Sequence, residues 1–138
     1  MEKVSTARNV KRAGIVLIAV VGLIHFIEAP EYFETAAYVG LLFLANGIGS
    51  AISAYGIYRG AGWGWALGVL VAGGAFVAYI LSRTVGLPGA TGLAQASFFE
   101  PLGLVSLSVQ ALFVFFCALR TDSHTLQTRR ETSREEST

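Results

Sequence analysis

Apolar residues in this chain collect into four runs, about Ala13–Tyr32, Thr35–Tyr58, Gly64–Ser82 and Pro101–Leu119, divided by short polar breaks. Each run approaches the roughly 20 residues that, at ~1.5 Å of rise apiece, cross a ~30 Å hydrocarbon core as a helix. In lipid every backbone polar group must be bonded within the protein, which leaves helices or a closed barrel. These long runs lack the roughly 10-residue alternating segments of barrel strands. The pattern predicts an all-α membrane protein, a four-transmembrane-helix bundle. Residues 1–12 form a basic lead, residues 13–119 the transmembrane domain, and residues 120–138 a tail too rich in Ser, Thr, Glu and Arg to bury a core. The tail is expected to be disordered.

Composition removes the water-soluble alternative, since 54% of residues are hydrophobic and only 14% charged. Charge placement then orients the spans. Lys3, Arg8, Lys11 and Arg12 precede the first run, Arg59 lies between the second and third, and Arg120, Arg129, Arg130 and Arg134 follow the fourth. Cations flanking spans are retained inside, so both termini are expected to be cytoplasmic, in a multi-pass protein of the plasma (inner) membrane. The other two connections carry Glu28, Glu31, Glu34 and Glu100, with Arg83 as their one cation. The basic start followed by Ala13 to Ile24 also has the outline of a signal peptide. No small-x-small cleavage site follows, so the segment is read as helix one. A single cysteine, Cys117, rules out an internal disulfide framework and reads as a small apolar filler.

Small residues recur every fourth position at Ala45, Gly49 and Ser53 in helix two and at Gly64, Gly68 and Ala72 in helix three. Such stripes let backbones approach closely in lipid, either within the bundle or across a homodimer seam. Gly60-Ala-Gly62 predicts a tight turn, and Val85 to Gly92, with its Gly and Pro, an irregular exterior loop suited to a lid or re-entrant segment. Trp63, Trp65, Tyr55 and Tyr58 on the inner side, and Tyr32, Phe33, Tyr38, Phe98 and Phe99 on the outer, read as interfacial belts. Gly40-Leu-Leu-Phe-Leu in helix two echoes Gly103-Leu-Val-Ser-Leu in helix four, a hint of a parallel repeat with a site between the halves.

The candidate chemistry lies in polar residues at membrane depth. His25 falls roughly 18 Å along helix one, with Glu28 one turn further on the same face, where the pair can share a proton or cation or lock the helix in place. Arg83 closes helix three and Glu100 opens helix four at the same level, so His25, Glu28, Arg83 and Glu100 can converge near the outer leaflet as a ligand or proton site. Pairing and snorkelling to the headgroups are both open to Arg83 and Glu100. Asn46 and Gln110 read as interhelical hydrogen-bond glue. A metal site is disfavoured because His124, the other histidine, lies in the tail, and no cofactor is expected. No catalytic residue is assigned, for the phosphate-loop, nucleophile-elbow and dinucleotide patterns are all missing. The basic residues lack the interleaved aromatics of nucleic-acid modules, so no nucleic-acid partner is expected.

The segments His25-Phe-Ile-Glu28-Ala-Pro-Glu31-Tyr-Phe, Gly-Ile-Tyr-Arg59-Gly and Leu81-Ser-Arg83-Thr-Val-Gly-Leu-Pro-Gly89 together resemble a group of uncharacterised small prokaryotic four-span proteins, and in size and span number the chain is loosely similar to DoxX-like membrane proteins. The resemblance implies a fold and no activity. Two functions stay open: a structural or accessory protein, dimeric or bound to a larger membrane complex, whose polar residues specify packing, and a small transporter or sensor that binds a proton, cation or small ligand at the outer cluster.

Overall fold

The computed structural model describes residues 2–90, 93 and 100–135, with side chains at 8–90, 93, 100–118 and 120. Its long elements are α1 (Glu2–Thr35), α2 (Ala37–Tyr58), α3 (Gly62–Thr84) and α4 (Pro101–Glu135). All four contain a stretch long and apolar enough to cross a membrane: Arg8–Thr35, Ala37–Tyr58, Gly62–Thr84 and Pro101–Ala118. The apolar runs therefore mark the spans to within a few residues, while α1 and α4 outlast them at the two termini. Adding a residue to an existing helix avoids the cost of a new nucleus, so the backbone continues helical through the basic lead and through the polar segment as far as Glu135.

The connections follow from glycine and proline. Arg59, Gly60 and Ala61 close α2, with Ala61 N–H donating to Gly56 O and Gly60 N–H to Ile57 O, both at 2.9 Å, around a Gly60 φ of +76°. This pair of reversed bonds satisfies carbonyls that the end of a helix leaves open, at a φ that a Cβ would disfavour. Gly86 ends α3 in the same left-handed region and donates to Leu81 O at 3.0 Å. The chain then folds tightly between Leu87 and Ala90, pinned to the start of α2 by Tyr38 Oη, which donates to Pro88 O at 2.6 Å. A single extended residue, Ala36, separates α1 from α2.

Around the bundle α1 packs on α2, α2 on α3, α3 on α4 and α4 on α1, while α1 and α3 touch only lightly across the diagonal. The shared core comprises Ile18 and Val21 of α1, Ile57 of α2, Trp65 and Ala72 of α3, and Phe113 and Cys117 of α4. Where α2 meets α3 the backbones themselves are in contact: a Cβ built on Gly64 would lie 2.5 Å from Gly56 C and Ile57 N. The Ser53 hydroxyl sits in the same seam and donates to Gly64 O at 2.7 Å.

The expected small-residue stripe is therefore present, with one displacement. Ser53, Gly64, Gly68 and Ala72 are buried and Gly49 rests against Val71, but Ala45 is exposed and Gly56 occupies the seam instead. A step of four residues overshoots a 3.6-residue turn by ~40°, so two steps from Ser53 carry Ala45 off the contact face. Trp65 also departs from the belt pattern: it is buried, stacked on Phe113 with ring centroids 6.1 Å apart, whereas Trp63, Tyr55 and Tyr58 are exposed. Phe98 and Phe99 lie outside the described residues. The bundle's outer surface is strongly apolar; Leu70 is 70% exposed, Ile27 63% and Phe115 62%. An outside of this kind is stable against hydrocarbon and not against water.

Candidate functional site

The end of the bundle that carries the last turn of α3 and the first of α4 brings Arg83, Glu100 and Glu28 into electrostatic range of one another. Arg83 ends α3 with its side chain only 2% exposed. Its Nη2 donates to Glu100 Oε2 at 2.8 Å, its Nη1 to Leu93 O at 3.0 Å, and its guanidinium carbon lies 5.1 Å from the Tyr79 ring centroid. Arg83 Nε is buried and has no acceptor among the described residues. Of the two expectations for Arg83, pairing is the one realised. Glu100 precedes Pro101 and caps α4 through its carbonyl, which accepts from Leu104 N–H at 2.9 Å, while its side chain stays 41% exposed.

Across from this pair, α1 presents Glu28 and, one turn later, Tyr32. Glu28 is half-buried and within electrostatic range of Glu100, Glu31 and Arg83, yet it makes no hydrogen bond or ion pair among the described residues. Tyr32 feels the same charges, and its ring stacks on Phe43 of α2 at 4.0 Å. Phe43 in turn lies 5.0 Å from the His25 ring.

His25 is buried and uses Nδ1 to donate to Val21 O of its own helix at 2.8 Å. A carbonyl can only accept, so Nδ1 carries the proton, and in a neutral ring Nε2 is left as the acceptor. His25 and Glu28 do not bond each other. Although i, i+3 spacing places them on one face, the imidazole turns back along α1 to Val21 O while the carboxylate lies within electrostatic range of Arg83 and Glu100. The four expected residues thus separate into an ionic group, Glu28, Arg83 and Glu100, and a histidine one turn deeper.

Sequence reasoning missed Tyr32, Tyr79 and Phe43 as members of this region. A signal existed for Tyr32, which stands at i+4 from Glu28 and i+7 from His25, the spacing of one helical face.

The two buried amides behave differently. Asn46 Nδ2 donates to Val71 O at 3.0 Å and so ties α2 to α3. Gln110 Nε2 donates to Ser106 Oγ at 3.0 Å, within α4, so its bond does not bridge helices as expected. A four-residue spacing on one helix offers the amide a nearer partner than a neighbouring backbone. Asn46 Oδ1, Gln110 Oε1 and Ser50 Oγ are buried without partners among the described residues, and Ser50 is pressed against Gly22 of α1. Among the described residues no group of three or more His, Cys, Asp or Glu side chains converges as metal ligands would.

No protein-family model, curated protein or solved structure matches the chain.

Proposed function

We propose that this chain is a small four-span inner-membrane protein with a structural or accessory role, in which polar side chains fix how the helices sit so that a partner, another copy or a larger membrane complex, meets a defined surface. The single observation that carries this reading is that three polar side chains of the α2/α3/α4 region bond across helices to specific atoms. Asn46 reaches Val71 O, Ser53 reaches Gly64 O, and Arg83 reaches Glu100. In hydrocarbon an interhelical bond of this kind has no water to compete with it, and it selects one rotation and register of a helix over others. Both termini lie on the cytoplasmic side in this proposal, since Arg8, Lys11, Arg12, Arg59 and Arg120 gather at the end of the bundle opposite Arg83.

The test is thermal unfolding of the purified protein in mild detergent, with Asn46→Leu and Ser53→Val as variants. Lower unfolding temperatures in both, with no response of the parent to pH between 5 and 8 or to added monovalent and divalent cations, support the packing role. Reporter fusions at each terminus check the orientation; opposite compartments for the two ends would refute it.

One observation favours the transport or sensing alternative. Glu28 is an intramembrane carboxylate within electrostatic range of Arg83 and Glu100 and has no bonded partner among the described residues, and such groups mark ion and proton paths. Proton flux into proteoliposomes that is lost in Glu28→Gln, with the unfolding temperature unchanged, would establish this alternative over the first reading.

A further inference from the structure

At the opposite end of the bundle, α3 and α4 flank a cavity of about 250 Å³ lined by Gly62, Trp65, Ala66, Val69, Cys117 and Arg120. Arg120 is the one charged residue of this lining. The floor is rigid, because Trp65 is buried and stacked on Phe113, a residue with no exposed surface at all. At the mouth, the Arg120 guanidinium carbon lies 4.5 Å over the Trp65 ring. Stacking on an indole fixes a guanidinium in position through its flat face while leaving the N–H groups at its edge directed outward. Among the described residues no carboxylate pairs with Arg120.

We infer that this groove is a binding site for one anionic phospholipid, with an acyl chain lying along Trp65, Ala66 and Val69 and the headgroup phosphate held by Arg120. The inference rests on the membrane-spanning reading and goes beyond the packing role proposed above. Three features select this occupant. The groove lies where α4 leaves its apolar run, between Cys117 and Arg120, which is the depth at which acyl chain gives way to headgroup. Ala66 and Val69 are open to the outside of the bundle, so a chain can enter sideways from the bilayer. The one charge present is a guanidinium, whose forked donors match phosphate oxygens in pairs. A protein partner would meet a slot with a single polar anchor; a diacyl anion meets both of its chemical halves.

Trp65 reports on the site. The chain has two tryptophans, Trp63 and Trp65, so a Trp63→Phe background leaves one emitter, at the groove. The protein is reconstituted in phosphatidylcholine vesicles in which either a small fraction of phosphatidylglycerol or the same fraction of phosphatidylcholine carries brominated chains, and Trp65 fluorescence is measured. Quenching by the brominated anionic lipid is expected to exceed that by the brominated zwitterionic lipid by roughly fivefold in effective affinity, the factor one cation near the bilayer surface confers. Arg120→Gln is expected to bring the ratio close to one, and Arg120→Lys to restore part of it. Native mass spectrometry of the unsubstituted protein gives an independent count, with one retained phosphatidylglycerol expected and none in Arg120→Gln. Equal quenching by the two lipids in the parent, or a preference that survives Arg120→Gln, overturns the proposal, whether bulk lipid or a second copy then fills the groove. Absence of quenching by either lipid would instead sink the membrane-spanning reading itself.

Discussion

The two ends of this bundle are held together by different physics. At the end where α2 turns into α3, backbones meet directly through Gly56 and Gly64, Ser53 bonds across the seam, and the core of Ile18, Ile57, Trp65 and Phe113 fills the space between helices. At the other end Arg83 of α3 pairs with Glu100 at the start of α4 and Gly103 of α4 lies against the Tyr79 ring, beside a carboxylate, Glu28, that bonds to nothing described. Direct contact between backbones distinguishes the first; an ion pair with one buried member distinguishes the second. In lipid, where apolar surface gains nothing by leaving the solvent, both are needed, and they fail differently.

The sharpest way to break the contrast is to add volume at the close end. Gly64→Ala places a Cβ against the backbone of Gly56 and Ile57, atoms that cannot rotate away. A loss of about 3 kcal/mol is expected, at the upper end of overpacking costs, read as a fall in unfolding temperature in detergent; an unchanged value would mean that the helices part there at little cost.

Next comes the ion pair, where the two partners are unequal. Glu100→Leu strands a guanidinium whose side chain is 2% exposed, whereas Arg83→Leu strands a carboxylate that is 41% exposed and reaches polar surroundings. Losses of about 2 kcal/mol and about 1 kcal/mol are expected, below the 3–5 of a fully buried pair because one member is partly open. The double replacement should recover most of the larger loss. Equal single losses would show that burial of Arg83 does not set the cost.

Asn46→Ala and Gln110→Leu separate the two amides by a smaller margin. Asn46 bridges α2 and α3, so about 0.6–1.7 kcal/mol should be lost, while Gln110 bonds only within α4 and leaves Oε1 orphaned, so Gln110→Leu should be neutral or slightly stabilising. An effect of the opposite sign is expected for Gly74→Ala, in a helical position with nothing within 4 Å of the added Cβ. It should stabilise by about 0.5–1 kcal/mol through helix propensity, and destabilisation there would point to a bend in α3 that needs glycine.

Much of this was legible beforehand. Span number and limits follow from run length, and Ser53, Gly64 and Gly68 mark faces suited to close packing, but a homodimer seam would use the same stripe, and it is the contact of Gly64 with Gly56 and Ile57 that places it between α2 and α3. Ala45, Trp65 and Gln110 were not legible. Each has the same composition signal whether it points inward or outward, along its helix or across, and the outcome turns on a rotation of tens of degrees that lipid-facing sequence does not encode. The His25 and Glu28 pairing fails for a related reason: spacing on a face permits contact, but the nearer acceptor, Val21 O, captures the imidazole.

What the chain determined by itself is the number, length and helical state of its spans, since an apolar stretch in hydrocarbon must close its own backbone bonds and only length then matters. What the tertiary structure alone decided is which face of each helix turns inward, and with it the partner of Arg83, the solitude of Glu28 and the groove beneath Arg120. Those depend on side chains from helices far apart in sequence arriving at the same depth, a condition of packing and not of any local pattern.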